Sequence, residues 1–369
     1  MIASIAMRSV HQWLLCWLWV SAGISVGMAQ DPEAAKKPPA PSRDLLEGLP
    51  ITQTGDELIS SWKTRRLAIQ VALQEVMGPL PVRRHKVPSV QVMEEVDAGS
   101  YIRRLITFQT EPDTRTPAYL CLPKRVLVPG MQAPAALCLH PTDNRVGHQV
   151  VVGLGGRPGR AYAHELAERG WITLSPAYPL LAQYQPDLQK LGYASGSMKA
   201  IHDNQCGLDF LESLPWVKPG GFAAIGHSLG GHNAIFTAVM DERIQVVVTS
   251  CGFDRFVDYM QGDLTGWTGP RYMPRLLDHA MNSLPFDFDQ LIACLAPRSI
   301  FISAPLWDEN FRNESVRQII RSVQPIYQLL DHSKGLMAVY PTVGHDFPEA
   351  TRIEAYRFME HEIQGVLLP

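Results

Sequence analysis

The apolar and polar residues of this chain keep three different rhythms. Residues 13–26 are predominantly apolar, residues 30–43 are rich in Pro, Ala and Lys without an apolar period, and from residue 54 onward helical and strand periods take turns. Leu58, Ile59, Trp62, Ile69 and Val76 predict a helix over 54–77. Strand-like stretches follow at 87–96, 101–108 and 117–122. From residue 133 strands and helices alternate, which predicts an α/β fold: a mainly parallel central sheet with helices on both faces. The run Ala135-Ala136-Leu137-Cys138-Leu139 suits a central strand of such a sheet, buried on both sides. Helices are predicted over 161–169 and 198–214, and strands over 171–175, 222–226, 244–250, 299–304 and 336–340. A closing helix starts near Pro348, a residue tolerated in a first helical turn, and lines up Ile353, Tyr356, Met359 and Ile363. The stretch 252–297 interrupts the alternation. Its Trp267, Tyr272, Met273, Met281, Phe286 and Phe288 are separated by Gly and Pro, and it is longer than an ordinary loop. It is expected to form a small helical insertion near a site. The organisation predicted is one domain over 44–369, with a helical extension at 44–85 and the insertion at 252–297.

The first two stretches stand outside that domain. Arg8 is the only charged residue before Asp31, an apolar segment follows it, and Gly27-Met28-Ala29 supplies the small residues a signal peptidase needs. Residues 1–29 therefore read as an export signal. The alternative is a retained membrane anchor. Residues 30–43 read as a flexible linker. The mature protein is expected outside the cytoplasm, in the periplasm or beyond, with no stable membrane insertion.

Composition narrows the function by exclusion. The formal net charge is −3 and no dense Lys/Arg run occurs, so nucleic acid is not an expected partner. Cys121, Cys138, Cys206, Cys251 and Cys294 form an odd, scattered set, which is no disulfide framework. Most of them sit in apolar company, as small buried hydrophobes do. No Cys/His cluster has zinc spacing, and no metal site is expected. Gly153-Leu154-Gly155-Gly156 looks like part of a dinucleotide fingerprint, but Pro158 takes the place of the last glycine. No cofactor is implied. Arg157 and Arg160 in the same loop are either solvated or placed to meet an anionic substrate.

Gly226-His227-Ser228-Leu229-Gly230-Gly231 follows an apolar strand and opens a helix, the setting of a nucleophile elbow. The turn is so tight that positions two before and two after the serine must lack bulk, and both are glycine. A serine hydroxyl needs a base to take its proton. His345 lies after the strand at 336–340 and before the closing helix, where that base is expected; His332 and His361 are badly placed. The acid that orients the base follows the strand at 299–304, and Asp308 is the candidate there. Glu309 is its neighbour, and Asp254, after the strand at 244–250, is the other position from which an acid can reach the histidine. Two backbone N–H donors are needed for an oxyanion. Leu229 supplies one. In His140-Pro141-Thr142 the proline has no N–H, so Thr142 is the candidate for the second. His140 and His227, together with Trp267 and Tyr272 of the insertion, are candidate substrate-binding residues. His140 is equally placed to organise its own loop.

With these motifs in place the chain resembles the α/β-hydrolase superfamily. Within it, the chain is most similar to the secreted bacterial acetyl-xylan-esterase-like and dienelactone-hydrolase-like group. The resemblance runs from about residue 54 to the C-terminus and rests on Gly226-His227-Ser228-Leu229-Gly230-Gly231 and Gly344-His345-Asp346-Phe347-Pro348. Two departures are visible: dienelactone hydrolases use cysteine where this chain has Ser228, and glucuronoyl esterases carry arginine in a motif where this chain has Leu229. The resemblance implies hydrolysis of a small-molecule or carbohydrate ester through an acyl-serine. A serine peptidase of the prolyl-oligopeptidase type and a non-catalytic binding protein are the competing readings. The first would lack the usual N-terminal propeller, for which too few residues precede 133. The second has no need of all three of Ser228, Asp308 and His345.

Overall fold

The computed structural model describes Leu45 and residues 55–82 and 87–364. The export signal and the linker expected at 1–43 lie outside these residues. Helix α1 (Gly55–Met77) is followed by three strands, β1 (Val90–Asp97), β2 (Tyr101–Glu111) and β3 (Thr114–Pro123), joined as an antiparallel meander. The alternating part begins with β4 (Ala135–Leu139), α2 (Tyr162–Glu168), β5 (Ile172–Pro176), the short α3 (Leu188–Leu191) and α4 (Gly196–Ser213). It continues through β6 (Phe222–His227), α5 (Leu229–Met240) and β7 (Ile244–Ser250). The last elements are α6 (Phe288–Leu295), β8 (Ser299–Ser303), α7 (Asn313–Leu329), β9 (Leu336–Val339) and α8 (Glu349–Gln364).

All nine strands form one sheet in the order β1-β2-β3-β5-β4-β6-β7-β8-β9. Every pair from β5 to β9 is parallel, and β3 joins β5 antiparallel. The apolar run of β4 shows why both faces are covered. Ala135, Leu137 and Leu139 enter one core with side chains of α1, α4, α5, α6 and α7, while Ala136 and Cys138 enter the other with Tyr162, Leu166, Tyr356 and Met359 of α2 and α8. Helix starts are fixed locally. The Ser195 hydroxyl accepts the Met198 N–H at 3.0 Å ahead of α4, and Asp287 with Gln290 forms a capping box on α6.

Two regions depart from the periodic expectation. Helix α7 lies outside the expected elements; Pro325, a residue that usually ends helices, sits inside it. The 252–297 stretch is built mostly of single 3₁₀ turns, at Tyr259–Gly262, Leu264–Trp267, Pro274–Asp278 and Met281–Ser283, before α6. The five cysteines in the described residues are all free and buried. Among those residues no helix is long and apolar enough to cross a membrane.

Candidate active site

Parallel α/β sheets gather loops at the carboxyl ends of their strands, and that edge carries every candidate here. Ser228 follows β6, Asp308 follows β8, His345 follows β9, Thr142 follows β4 and Asp254 follows β7. Ser228 adopts φ 55°, ψ −121°, a left-handed conformation that a serine takes only when its surroundings force it. The glycines around it are a steric requirement. A Cβ on Gly226 would lie 2.1 Å from the Gly230 carbonyl, and one on Gly230 would lie 1.9 Å from the Leu139 oxygen. The Ser228 N–H is held by the Ser250 carbonyl at 2.8 Å, which fixes the elbow to the neighbouring strand. Ser228 is the N-cap of α5, so Leu229 begins a helix whose first N–H groups have no intrahelical acceptor.

His345 Nδ1 lies 2.9 and 3.0 Å from the two carboxylate oxygens of Asp308. A carboxylate only accepts, so Nδ1 carries the proton and Nε2 is left as a base. Asp308 Oδ1 also accepts the N–H groups of Asn310, at 2.8 Å, and Phe311, at 3.2 Å. Burial works to raise the Asp308 pKa, but the hydrogen bond and charge of His345 outweigh it, and the carboxyl stays below its ordinary value. Asp254 is held differently. Its Oδ2 accepts the Arg312 N–H at 3.1 Å and its Oδ1 has no partner among the described residues. Burial, with Asp258, Asp287 and Asp308 nearby, pushes its pKa up to about 8. A carboxyl that keeps its proton at neutral pH is a poor partner for an imidazolium. Glu309 is exposed, with no bond to His345.

The supporting residues fix two loops. His140 is buried; its Nδ1–H donates to the Pro141 carbonyl at 2.9 Å and its Nε2 accepts the Tyr178 N–H at 2.9 Å. Both bonds need the neutral ring, and burial takes its pKa down to about 4. In a trans peptide the carbonyl and the next N–H point in opposite directions. Holding the Pro141 carbonyl therefore turns the Thr142 N–H away from His140. On the histidine loop, the buried Arg160 donates to Asp346 at 2.6 Å and to the His345 carbonyl at 3.4 Å. His227 is buried behind the nucleophile, 3.1 Å from the Ser250 hydroxyl, with its ring 4.9 Å from that of His345. Burial, helped by Arg160 and His345, holds it neutral.

Two cavities meet at Ser228 and His345. One, of about 100 Å³, is bordered by Thr142, Asp143, Arg157, Arg160 and His227. The other, of about 320 Å³, is an aromatic chamber walled by Tyr259, Trp267, Tyr272, Phe311 and His232. Of the residues expected from sequence to touch substrate, His227, Trp267 and Tyr272 line a cavity; His140 lines neither and acts on its loop. Sequence reasoning missed Tyr259, Phe311 and His232. Only His232 had a signal, since four residues after the nucleophile on a helix is one turn above it.

Two clusters of possible metal ligands occur among the described residues. In the first, Asp308 and His345 are bonded to each other, and burial keeps the Cys251 thiol protonated. In the second, the Lys199 ammonium pairs with Glu111 and Asp203. Against the effect of burial, Cys206 and Glu111 raise the His202 pKa to about 9, and His202 pairs with Glu111, so positive charge is already present.

No protein-family model matches the chain. It is 24 % identical over 299 residues to "Putative hydrolase YtaP" of Bacillus subtilis, covering 78 % of this chain and 96 % of that one. Among solved structures it is similar to a glucuronoyl esterase from Solibacter usitatus, with TM-score 0.67, 17 % identity, and coverage of 82 % and 93 % of the two chains. It is also similar to acetyl xylan esterase 1 from a Thermoanaerobacterium species, with TM-score 0.51, 15 % identity, and coverage of 81 % and 92 %. The chain has the α/β-hydrolase fold.

Proposed function

We propose that this chain is an exported serine hydrolase that cleaves carboxylic esters through an acyl-serine intermediate. The observation that carries the reading is the fixed tautomer of His345. With Nδ1–H committed to Asp308, Nε2 is free to take the Ser228 proton at the junction of the two cavities. Ser228 Oγ attacks the ester carbon while His345 Nε2 accepts its proton. The carbonyl oxygen gains the charge and is met by the N–H groups of Leu229 and Thr142. The C–O bond breaks, His345 gives its proton to the leaving alkoxide, and the acyl group stays on Ser228. Water then repeats the sequence, with His345 as base, and leaves as part of the carboxylic acid.

The unequal cavities support a division of the substrate: a small acyl group on the Arg157 side and the larger alcohol in the aromatic chamber. The structural neighbours include an acetyl xylan esterase and a glucuronoyl esterase by name, and carbohydrate esters are the substrate class proposed here on that likeness. Purified protein is to be assayed with 4-nitrophenyl acetate, acetylated xylan and aminoacyl anilides. Ester cleavage without anilide cleavage is expected. Anilide cleavage alone overturns the esterase reading in favour of a peptidase, and inertness to all three overturns it in favour of a binding protein.

A further inference from the structure

His232 is the one chamber-lining histidine that the triad does not use. Its Nδ1 lies 3.1 Å from the Gly252 carbonyl oxygen. A carbonyl only accepts, so Nδ1 must carry the hydrogen, and Nε2 carries a lone pair. That Nε2 is buried and has no hydrogen-bond partner among the described residues. The ring is only 4 % exposed, and burial takes its pKa down to about 3. It stays neutral at any working pH, and its tautomer cannot switch without losing the Gly252 bond.

The ring beside it has the complementary defect. Trp267 packs with its centroid 4.7 Å from that of His232, and its indole N–H is also buried without a partner among the described residues. A buried polar group with nothing to meet it costs stability that a bound partner would restore. Both residues line the same chamber as Ser228, with Tyr259, Tyr272 and Phe311. An acceptor beside a donor is the complement of a hydroxyl group, which gives one hydrogen bond and takes another. Aromatic walls favour the C–H faces of a saturated ring.

We propose that His232 is a specificity-determining residue whose Nε2 accepts a hydrogen bond from a hydroxyl of the substrate, and that the chamber takes a hydroxylated saturated ring. This rests on the esterase reading for the placement of the alcohol half. The two claims fail separately if binding and turnover are measured apart.

Turnover is measured with methyl 2-O-acetyl-β-xylopyranoside and its 3-deoxy and 4-deoxy analogues, on wild type and on His232→Phe. In the wild type one deoxy analogue is expected to lose about 10- to 100-fold in kcat/KM, the range of one hydrogen bond to a buried group. In His232→Phe that ratio falls to within about threefold of unity, whatever the absolute rate. Binding is measured without turnover in ¹⁵N-histidine-labelled Ser228→Ala protein titrated with the same three esters. The unprotonated nitrogen resonance of His232 should move with the full ester and not with the discriminated analogue. This second measurement does not depend on the folding of His232→Phe. A wild-type ratio near unity for both analogues, a ratio unchanged in His232→Phe, or a His232 resonance that no ester moves overturns the proposal. A shifted resonance with no ester cleavage by the wild type overturns the esterase reading and leaves the role of His232 standing.

Discussion

The acid of the proposed triad offers a quantitative test. In Asp308→Asn the Asn310 and Phe311 N–H groups, at 2.8 and 3.2 Å from Oδ1, still demand an acceptor. They hold the amide oxygen, and the amide NH₂ takes the place of Oδ2, 3.0 Å from His345 Nδ1. An NH₂ donates, so Nδ1 meets a donor at one position. The amide oxygen at the other, 2.9 Å away, is already engaged by the Asn310 and Phe311 N–H groups. The tautomer with its proton on Nε2 is favoured, and Nε2 can no longer receive the Ser228 proton. Loss of the correct tautomer costs about 10⁴ in turnover in the serine protease triad from which this magnitude is taken. That corresponds to about 5.5 kcal/mol of transition-state stabilisation. Asp254→Asn makes the opposite case. Burial pushes the Asp254 pKa up to about 8, its Oδ2 accepts from Arg312, and the other oxygen has no partner among the described residues. A carboxamide reproduces the protonated carboxyl almost atom for atom, and the cost should be under about tenfold. The assay is kcat on 4-nitrophenyl acetate at neutral pH for both variants, with thermal melts to establish that each is folded. If Asp254→Asn is the more damaging by a hundredfold, the triad is Ser228, Asp254 and His345, and the tautomer argument is wrong.

Four further outcomes are expected. Ser228→Ala should lose several orders of magnitude in turnover while melting like the wild type, and a fluorophosphonate probe should label the wild type at Ser228 alone; labelling at another serine contradicts the elbow assignment. Because the folded-state pKa of Asp254 is raised, its contribution to stability is present at low pH and is lost as pH climbs from about 4 to about 8. Urea melts across that window should show a slope approaching about 1.4 kcal/mol per pH unit that Asp254→Asn removes, and an unchanged slope in the variant sinks the idea. Lys199, buried between Glu111 and Asp203, is the cation that meets Asp203, while His202 also pairs with Glu111, so Lys199→Met should destabilise by about 3–5 kcal/mol; a loss under about 1 kcal/mol would show that the carboxylates do not need it. N-terminal sequencing of protein from the native cell should begin at or near Gln30, and an intact Met1 on soluble cytoplasmic protein refutes export.

Much of the fold was legible because the sheet is buried on both faces and leaves little choice of period. The strands at 135–139 and 244–250 were read with the ends observed, since each is an apolar run closed by polar or turn residues. The elbow was legible for a steric reason: no other residue than glycine fits at Gly226 and Gly230. What was not legible is long-range. Asp254 and Asp308 look alike in sequence, and only the neighbours brought in by folding separate them, the Arg312 N–H for one and His345 for the other. The pairing of Arg160 with Asp346 is of the same kind, across a gap of 186 residues. Helix α7 was not among the expected elements; it carries Pro325 inside it, which a helix can do when its packing outweighs the lost hydrogen bond.

The division between what was and was not legible follows a division of labour in the molecule. The candidate catalytic edge is assembled from strand ends, where close backbone approaches at Gly226 and Gly230 leave no room for a side chain. The aromatic chamber instead draws Tyr259, Trp267 and Tyr272 from the 252–297 stretch of single turns and Phe311 from the acid loop. Single turns have no period, so nothing in their sequence says which side chain faces the nucleophile. They are not loosely held, since Trp267, Met273, Leu276, Phe286 and Phe288 are buried in the main core. His232 stands at the junction. It belongs to helix α5, and its ring packs against Trp267 and Tyr272 of the insertion. A substrate that satisfies both His232 and Trp267 would therefore be held by the helix that follows Ser228 on one side and by the 252–297 wall on the other. Changes of specificity in this chain should come from substitutions at Tyr259, Trp267, Tyr272 and Phe311, and changes of rate from the elbow and its two loops.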